Sequence, residues 1–180
     1  NEASNWENGV LYIGNHLVQS YSDASEYTIR SGTKTIGDYA FYSCWDLTSV
    51  TIPDGVTSIG NFAFSECGSL TSISLPDSVT RIGRRAFAAS NNLASITIPD
   101  GVTDIKDSAF YATALYNDES NWENGLLYLG NHLIEARETL SAALEIRPGT
   151  RTIAEYAFYL CRSITDIAIP DSVTSIGRAA

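Results

Sequence analysis

A phenylalanine returns along this chain at a fixed interval. Phe41, Phe64, Phe87 and Phe110 stand 23 residues apart, each preceded by alanine, and Phe158 follows 48 later, one interval plus an insertion of 25. A period of this length is the signature of stacked coils, so it outranks any local reading of helix or strand. The units run Thr28–Val50, Thr51–Ile73 and Ser74–Ile96. A fourth starts at Thr97 and is interrupted, a fifth spans Glu145–Ile167, and a sixth starts at Ala168.

One unit explains why the repeats must stack. Leu70-x-x-Ile73-x-Leu75 ends in alternation, which predicts a short strand with one face buried. Pro76-Asp77-Ser78 predicts a turn, with Pro setting φ and Asp capping nearby N–H groups. Val79-Thr80-Arg81-Ile82 alternates again as a second strand, which Gly83 breaks. Ala86-Phe87 and its successors predict a short helical turn closing the coil. Seven or eight buried side chains cannot offset the entropy of ordering 23 residues. Neighbouring coils can complete the core and pair the strand edges.

The insertion has its own internal copy. Residues 4–18 read SNWENGVLYIGNHLV and residues 120–134 read SNWENGLLYLGNHLI, with 12 of 15 positions identical. Asn-Gly is a strong hairpin signal, and Gly14-Asn15 marks a second tight turn. Each copy is therefore read as a small β-meander. Each is followed by the same phrase, Ile29-Arg30-x-Gly32-Thr33 and Ile146-Arg147-x-Gly149-Thr150. The expected organisation is one solenoid, with meanders at 1–27 and 117–144 and coils at 28–116 and 145–180. Both ends fall mid-pattern, so the chain is expected to be a segment of a longer solenoid.

The unit "LTSVTIPDGVTSIGNFAFSEC" resembles the BspA-type leucine-rich repeat of bacterial surface proteins, with five Ala-Phe pairs in register. The resemblance implies a curved leucine-rich repeat solenoid of short parallel strands and short helical turns, here interrupted by meanders. It also implies a secreted or cell-surface location and adhesive or protein-interaction roles. It brings no catalytic residues and no cofactor.

Charge and composition narrow the partners. The formal net charge of −10 repels phosphate backbones, which argues against nucleic acid, and the basic cluster Arg81, Arg84, Arg85 is small. No apolar run approaches the roughly 20 residues of a membrane helix, so no membrane insertion is expected.

Each reactive residue type has a structural reading. Cys44, Cys67 and Cys161 lie three residues after the repeat Phe, a slot that Ser90 and Thr113 share. They are read as buried free thiols in a small core slot, against a zinc site that would want a C-x-x-C. His16 and His132 occupy one meander position in two copies, which suits a turn-flanking role rather than a catalytic pair. Asp54, Asp77, Asp100 and Asp171 share a slot after Pro; turn capping is preferred to a calcium ladder. Ser49, Thr51, Ser72, Ser74, Ser95, Thr97, Asp166 and Ala168 form a monotonous strand face, read as solubilising rather than glycan- or ice-binding. The candidate binding patch is aromatic: Tyr39, Tyr42 and Trp45 in the first coil, Phe62 in the second, Tyr156 and Tyr159 in the fifth. Such rings suit a protein or sugar contact, presented more than once and hence multivalent; the competing reading packs them on neighbouring coils. The expected function is a non-catalytic adhesion or binding module. The alternatives are a spacer solenoid and a carbohydrate-binding region built on the convex aromatics.

Overall fold

The structure, a computed structural model, describes residues 5–20 and 24–180. Residues 1–4 and 21–23, part of the first expected meander, lie outside the described residues. It is a solenoid in which each coil gives two short strands. The first kind is Ser49–Thr51, Ser72–Ser74 and Ser95–Thr97, each with an inward aliphatic between two exposed hydroxyl side chains. The second kind is Thr35–Ile36, Ser58–Ile59, Arg81–Ile82 and Asp104–Ile105. These pair in parallel at the repeat interval, Ile36 against Ile59, Ile59 against Ile82, and Ile82 against Ile105.

The turn between the strands closes by backbone. Val79 N donates to Pro76 O at 3.0 Å and Val102 N to Pro99 O at 3.0 Å. Asp54, Asp77 and Asp171 are exposed there, and the exposed Asp100 accepts from Asn131 Nδ2 at 2.9 Å. The expected Asp capping of these turns is thus replaced by Pro carbonyls.

The closing segment is not the short helical turn expected from sequence. It is a run of β-turns with two non-glycine residues at positive φ in each coil: Tyr39 and Ser43, Phe62 and Glu66, Arg85 and Ala89, Ser108 and Ala112, Tyr156 and Leu160. The hydrogen bonds give the reason. In the first coil Tyr39, Phe41 and Ser43 N–H donate to Asn61, Ala63 and Ser65 of the next coil. The residues between them, Ala40, Tyr42 and Cys44, donate three back to Gly37, Tyr39 and Phe41. A helix would turn every N–H along its own axis. Alternation sends half of them to the neighbour. The described helices, Ala114–Asn117 and the 3₁₀ turn Glu119–Asn121, both lie past the last turn of coil four.

The core of the first four coils is a ladder of phenylalanines. Phe41, Phe64, Phe87 and Phe110 stack at centroid spacings of 5.1, 5.5 and 5.6 Å, with planes within 6° of parallel. Phe158 does not continue it. It is half-buried and packs with a second cluster that includes Tyr128, Leu133, Ile146 and Ile153.

The meanders start each ladder. Trp6–Glu7, Val10–Ile13 and His16–Ser20 run antiparallel, then His16 and Leu17 pair in parallel with Thr35 and Ile36. Trp122–Glu123, Leu126–Leu129 and His132–Ala136 repeat this, with His132 and Leu133 beside Thr152 and Ile153. The two copies differ in what covers them. Leu126 to Leu129 are all buried, because Leu127, Leu129 and Ile134 face the first core while Leu126, Tyr128 and Leu133 face the second. In the first copy the residue matching Leu129 is Ile13, 56% exposed.

Candidate functional site

The expected aromatic patch divides between two places. On the turn side of the first two coils, Tyr39, Tyr42 and Trp45 are 52%, 42% and 64% exposed. Left-handed backbone at Tyr39 and Phe62 turns both rings outward, where they stack at 4.9 Å and 4°. Tyr39 meets Tyr42 edge to face at 5.6 Å. Tyr42 and Ser43 both donate to Glu66, at 2.8 and 2.9 Å, which ties the patch to the second coil. That bond to a carboxylate raises the Tyr42 hydroxyl pKa. Trp45 lies against Gly68. The rings thus pack on the neighbouring coil and remain exposed.

Tyr156 and Tyr159, edge to face at 5.6 Å, sit elsewhere. They line a cleft of about 1140 Å³ between coils four and five, floored by the second meander. Its origin is a broken ladder. Arg85, Phe87 and Ala89 donate to Asp107, Ala109 and Tyr111 of the next coil. Among the described residues no such bond runs from 108–112 to coil five. Coil five pairs with the meander instead, Ala136 N to Ala157 O at 2.7 Å.

Three rings on the other wall were not singled out from sequence. Tyr111, Tyr116 and Trp122 form an edge-to-face chain with spacings of 5.5 and 5.5 Å. Tyr111 occupies the slot of Tyr42 and Tyr159, directly after the repeat Phe, so the same count finds it. Tyr116 donates to Glu135 at 2.8 Å. Burial raises the pKa of both groups, and for Glu135 the bond from Tyr116 opposes the rise. Arg137 lies 4.6 Å over the Trp122 ring and pairs with Glu119 at 2.5 Å.

The other candidates take structural roles. The slot shared by Cys, Ser and Thr is a donor position: Cys67 Sγ reaches Phe41 O at 3.1 Å, Ser90 Oγ reaches Phe64 O at 2.7 Å, and Thr113 Oγ1 reaches Phe110 O at 2.8 Å. Cys67 is buried, and desolvation pushes its thiol up to about 12. Cys44 and Cys161 are only half-buried, contrary to expectation, because each lies at the start of a ladder. His16 is exposed and bonds Thr35 Oγ1 at 2.7 Å. His132 is fully buried, and neither ring nitrogen makes a hydrogen bond of ordinary geometry, with the Pro99 carbonyl and Asp100 carboxylate as its polar neighbours. Among the described residues no group of three or more His, Cys, Asp or Glu is placed to hold a metal. No helix among them is long and apolar enough to cross a membrane.

Comparison with known proteins gives one family. Its model, described as a BspA type leucine rich repeat region, matches residues 11–141 and 136–180 in six copies. No curated protein gives a significant match. Similar solved structures include the pneumococcal vaccine antigen PcpA, at 19% identity and TM-score 0.47, covering 83% of this chain and 51% of that one. This chain thus spans about half the length of that structure. A T. pallidum leucine-rich repeat protein matches at 20% identity and TM-score 0.43, covering 90% of this chain and 77% of that one. A leucine rich cell surface protein from Faecalibacterium prausnitzii A2-165 matches at 22% and 0.39, covering 96% and 72%. At these scores the fold assignment stands on the family match and the coil geometry.

Proposed function

The chain belongs to the BspA type leucine rich repeat family, and from that premise we propose that it is a non-catalytic binding module, displayed outside a bacterial cell, that adheres to a protein partner. The observation that carries the reading is the exposed group Tyr39, Tyr42 and Trp45. Large rings fixed on hydrogen-bonded turns offer apolar area with little entropy left to lose, the composition of interface hot spots. The surface location rests on the family resemblance. The non-catalytic part is supported by the histidines, one bonded to a threonine and one buried away from solvent.

The test is adhesion by the purified chain. A protein partner captured by pull-down is re-measured against Tyr42→Ala and Trp45→Ala, with folding checked by circular dichroism. Loss of about tenfold or more in affinity supports the patch. Unchanged affinity in folded variants, with loss on replacing Ser72 and Ser74, moves binding to the strand face. The spacer reading has one observation in its favour, the uniform hydroxyl side chains of that face. Absence of any captured partner favours it.

A further inference from the structure

We propose that the cleft between coils four and five binds arginine or lysine side chains of an extended segment of the partner protein. The inference rests on the binding-module reading and adds a second contact of defined chemistry. Three observations carry it. The first is shape: a cavity of about 1140 Å³ is large enough for several side chains, and aromatic rings rise on both walls, Tyr111 and Tyr159 being 52% and 60% exposed. The second is charge. Arg84 pairs with Asp107 and Arg137 with Glu119, while Glu135, Glu138 and Glu155 have no ion-pair partner among the described residues. Lys106 on the lining pairs with Asp104 outside it, and Arg178 has no ion-pair partner among the described residues, so the lining as a whole sets five carboxylates against four cations. The net charge of −10 steers cations toward it from a distance.

The third observation is that this chain already seats guanidinium groups on its own rings. Arg137 lies over Trp122 at 4.6 Å inside the cleft, Arg30 over Tyr12 at 4.2 Å and Arg147 over Tyr128 at 4.3 Å. Each of these arginines also reaches a carboxylate or a backbone carbonyl. Tyr111 and Tyr159 line the same cleft as Glu138 and Glu155, so exposed rings and carboxylates without an ion-pair partner among the described residues share its walls. A cation entering the cleft gains from the ring quadrupole and from the carboxylates together. Burial has already raised the pKa of Glu135, and an incoming cation relieves that.

The test uses the 180-residue chain and a fluorescein-labelled peptide of sequence GRGRGRG, read by anisotropy at low and moderate salt. A peptide with citrulline at each arginine has the same shape without charge. Expected results are binding of the arginine peptide, at least about tenfold weaker binding of the citrulline peptide, and about fivefold losses for Tyr159→Ala and Glu138→Gln. Both residues are exposed, so neither variant threatens folding. Asp54→Asn, an equal charge change on a remote exposed turn, is expected to stay within about twofold of wild type. Equal losses for Asp54→Asn and Glu138→Gln would mean diffuse charge attraction and overturn the site. So would an unaffected Tyr159→Ala, equal binding of the citrulline peptide, or tighter binding of a neutral oligosaccharide such as chitohexaose that Tyr159→Ala abolishes. If a captured protein partner still binds through Tyr42 and Trp45 while the arginine peptide does not bind, the cleft assignment falls and the binding-module reading stands.

Discussion

Gly60 is a residue the stack cannot exchange. A Cβ there would lie 2.4 Å from Gly37 C and 2.5 Å from Asp38 N, both backbone of the preceding coil, and no rotamer moves a Cβ. Gly60→Ala is expected to cost about 3 kcal/mol, read as a lower denaturant midpoint; an unchanged midpoint would contradict the close approach. Ala89 is the reverse case. Its φ is +58°, a region that strains an L-residue by about 1 kcal/mol. Ala89→Gly is therefore expected to stabilise, by less than that strain because glycine has more entropy to lose. A raised thermal midpoint would agree and a lowered one would not. At this scale the sequence exposes the slot but not its reason. Gly60 and Gly83 stand out as strand breakers, yet their necessity lies in a coil 23 residues earlier. The slot also hides a signal at the junction: Lys106 and Ala154 fill it on either side of the cleft, where the regular stack ends. Tyr111 is legible by counting from the repeat Phe. Glu135 is not, because nothing local turns a meander residue toward a cleft that coil four helps to form.

The strands and tight turns follow from alternation, Asn-Gly and Pro-Asp, all of them local signals. The closing segments do not. Their residues, Ala-Phe among small and polar neighbours, suit a helical turn in isolation. The bonds that decide against it run to the next coil. A recurring Arg after each meander is a middle case, visible as a repeated phrase and explained only by contact. Arg30 N and Arg147 N both donate to a meander tyrosine hydroxyl, Tyr12 or Tyr128, at 3.1 Å. Each guanidinium then folds over the same ring and donates to the meander turn at Gly14 or Gly130. Arg147 also pairs with Glu123. The arginine thus clamps a hairpin to the first coil that follows it. Arg147→Ala is expected to cost about 1–2 kcal/mol, since the site is only half-buried. Lysine keeps the charge but loses the planar fork, so Arg147→Lys should recover less than half. Hydrogen exchange should show the loss first in 126–136. Equal loosening in 51–96 would mean a global effect and contradict the clamp.

Across the whole molecule, the second meander divides one solenoid into two cores. Its strands carry aliphatics on both faces and so serve as the last layer of the first core and the first layer of the second. His132 sits in this seam. The sequence-identical His16 is exposed, so the difference comes from coil four alone, which brings Pro99 and Asp100 against the second copy. Burial lowers the His132 pKa, and the Pro99 carbonyl and Asp100 carboxylate, which favour the charged ring, do not outweigh it. The sign follows from linkage. A histidine whose folded pKa lies below its unfolded value of about 6.5 binds its proton more readily when the chain is unfolded. Stability is therefore complete above about pH 6.5 and falls as the pH drops below it, down to the folded pKa. Glu135, raised by burial, has the opposite effect, gaining protons more readily in the folded state. Wild type alone would mix the two. The measurement is the difference in thermal midpoint between wild type and His132→Gln, followed from pH 7.5 to 5, in which the Glu135 contribution cancels. Wild type is expected to lose stability relative to the variant as the solution is acidified. A difference that stays flat would place the imidazole in contact with water. If the variant does not fold, the imidazole resonance of His132 in wild type gives the same answer, with a midpoint below 6.5 expected and one above it contradicting the buried seam.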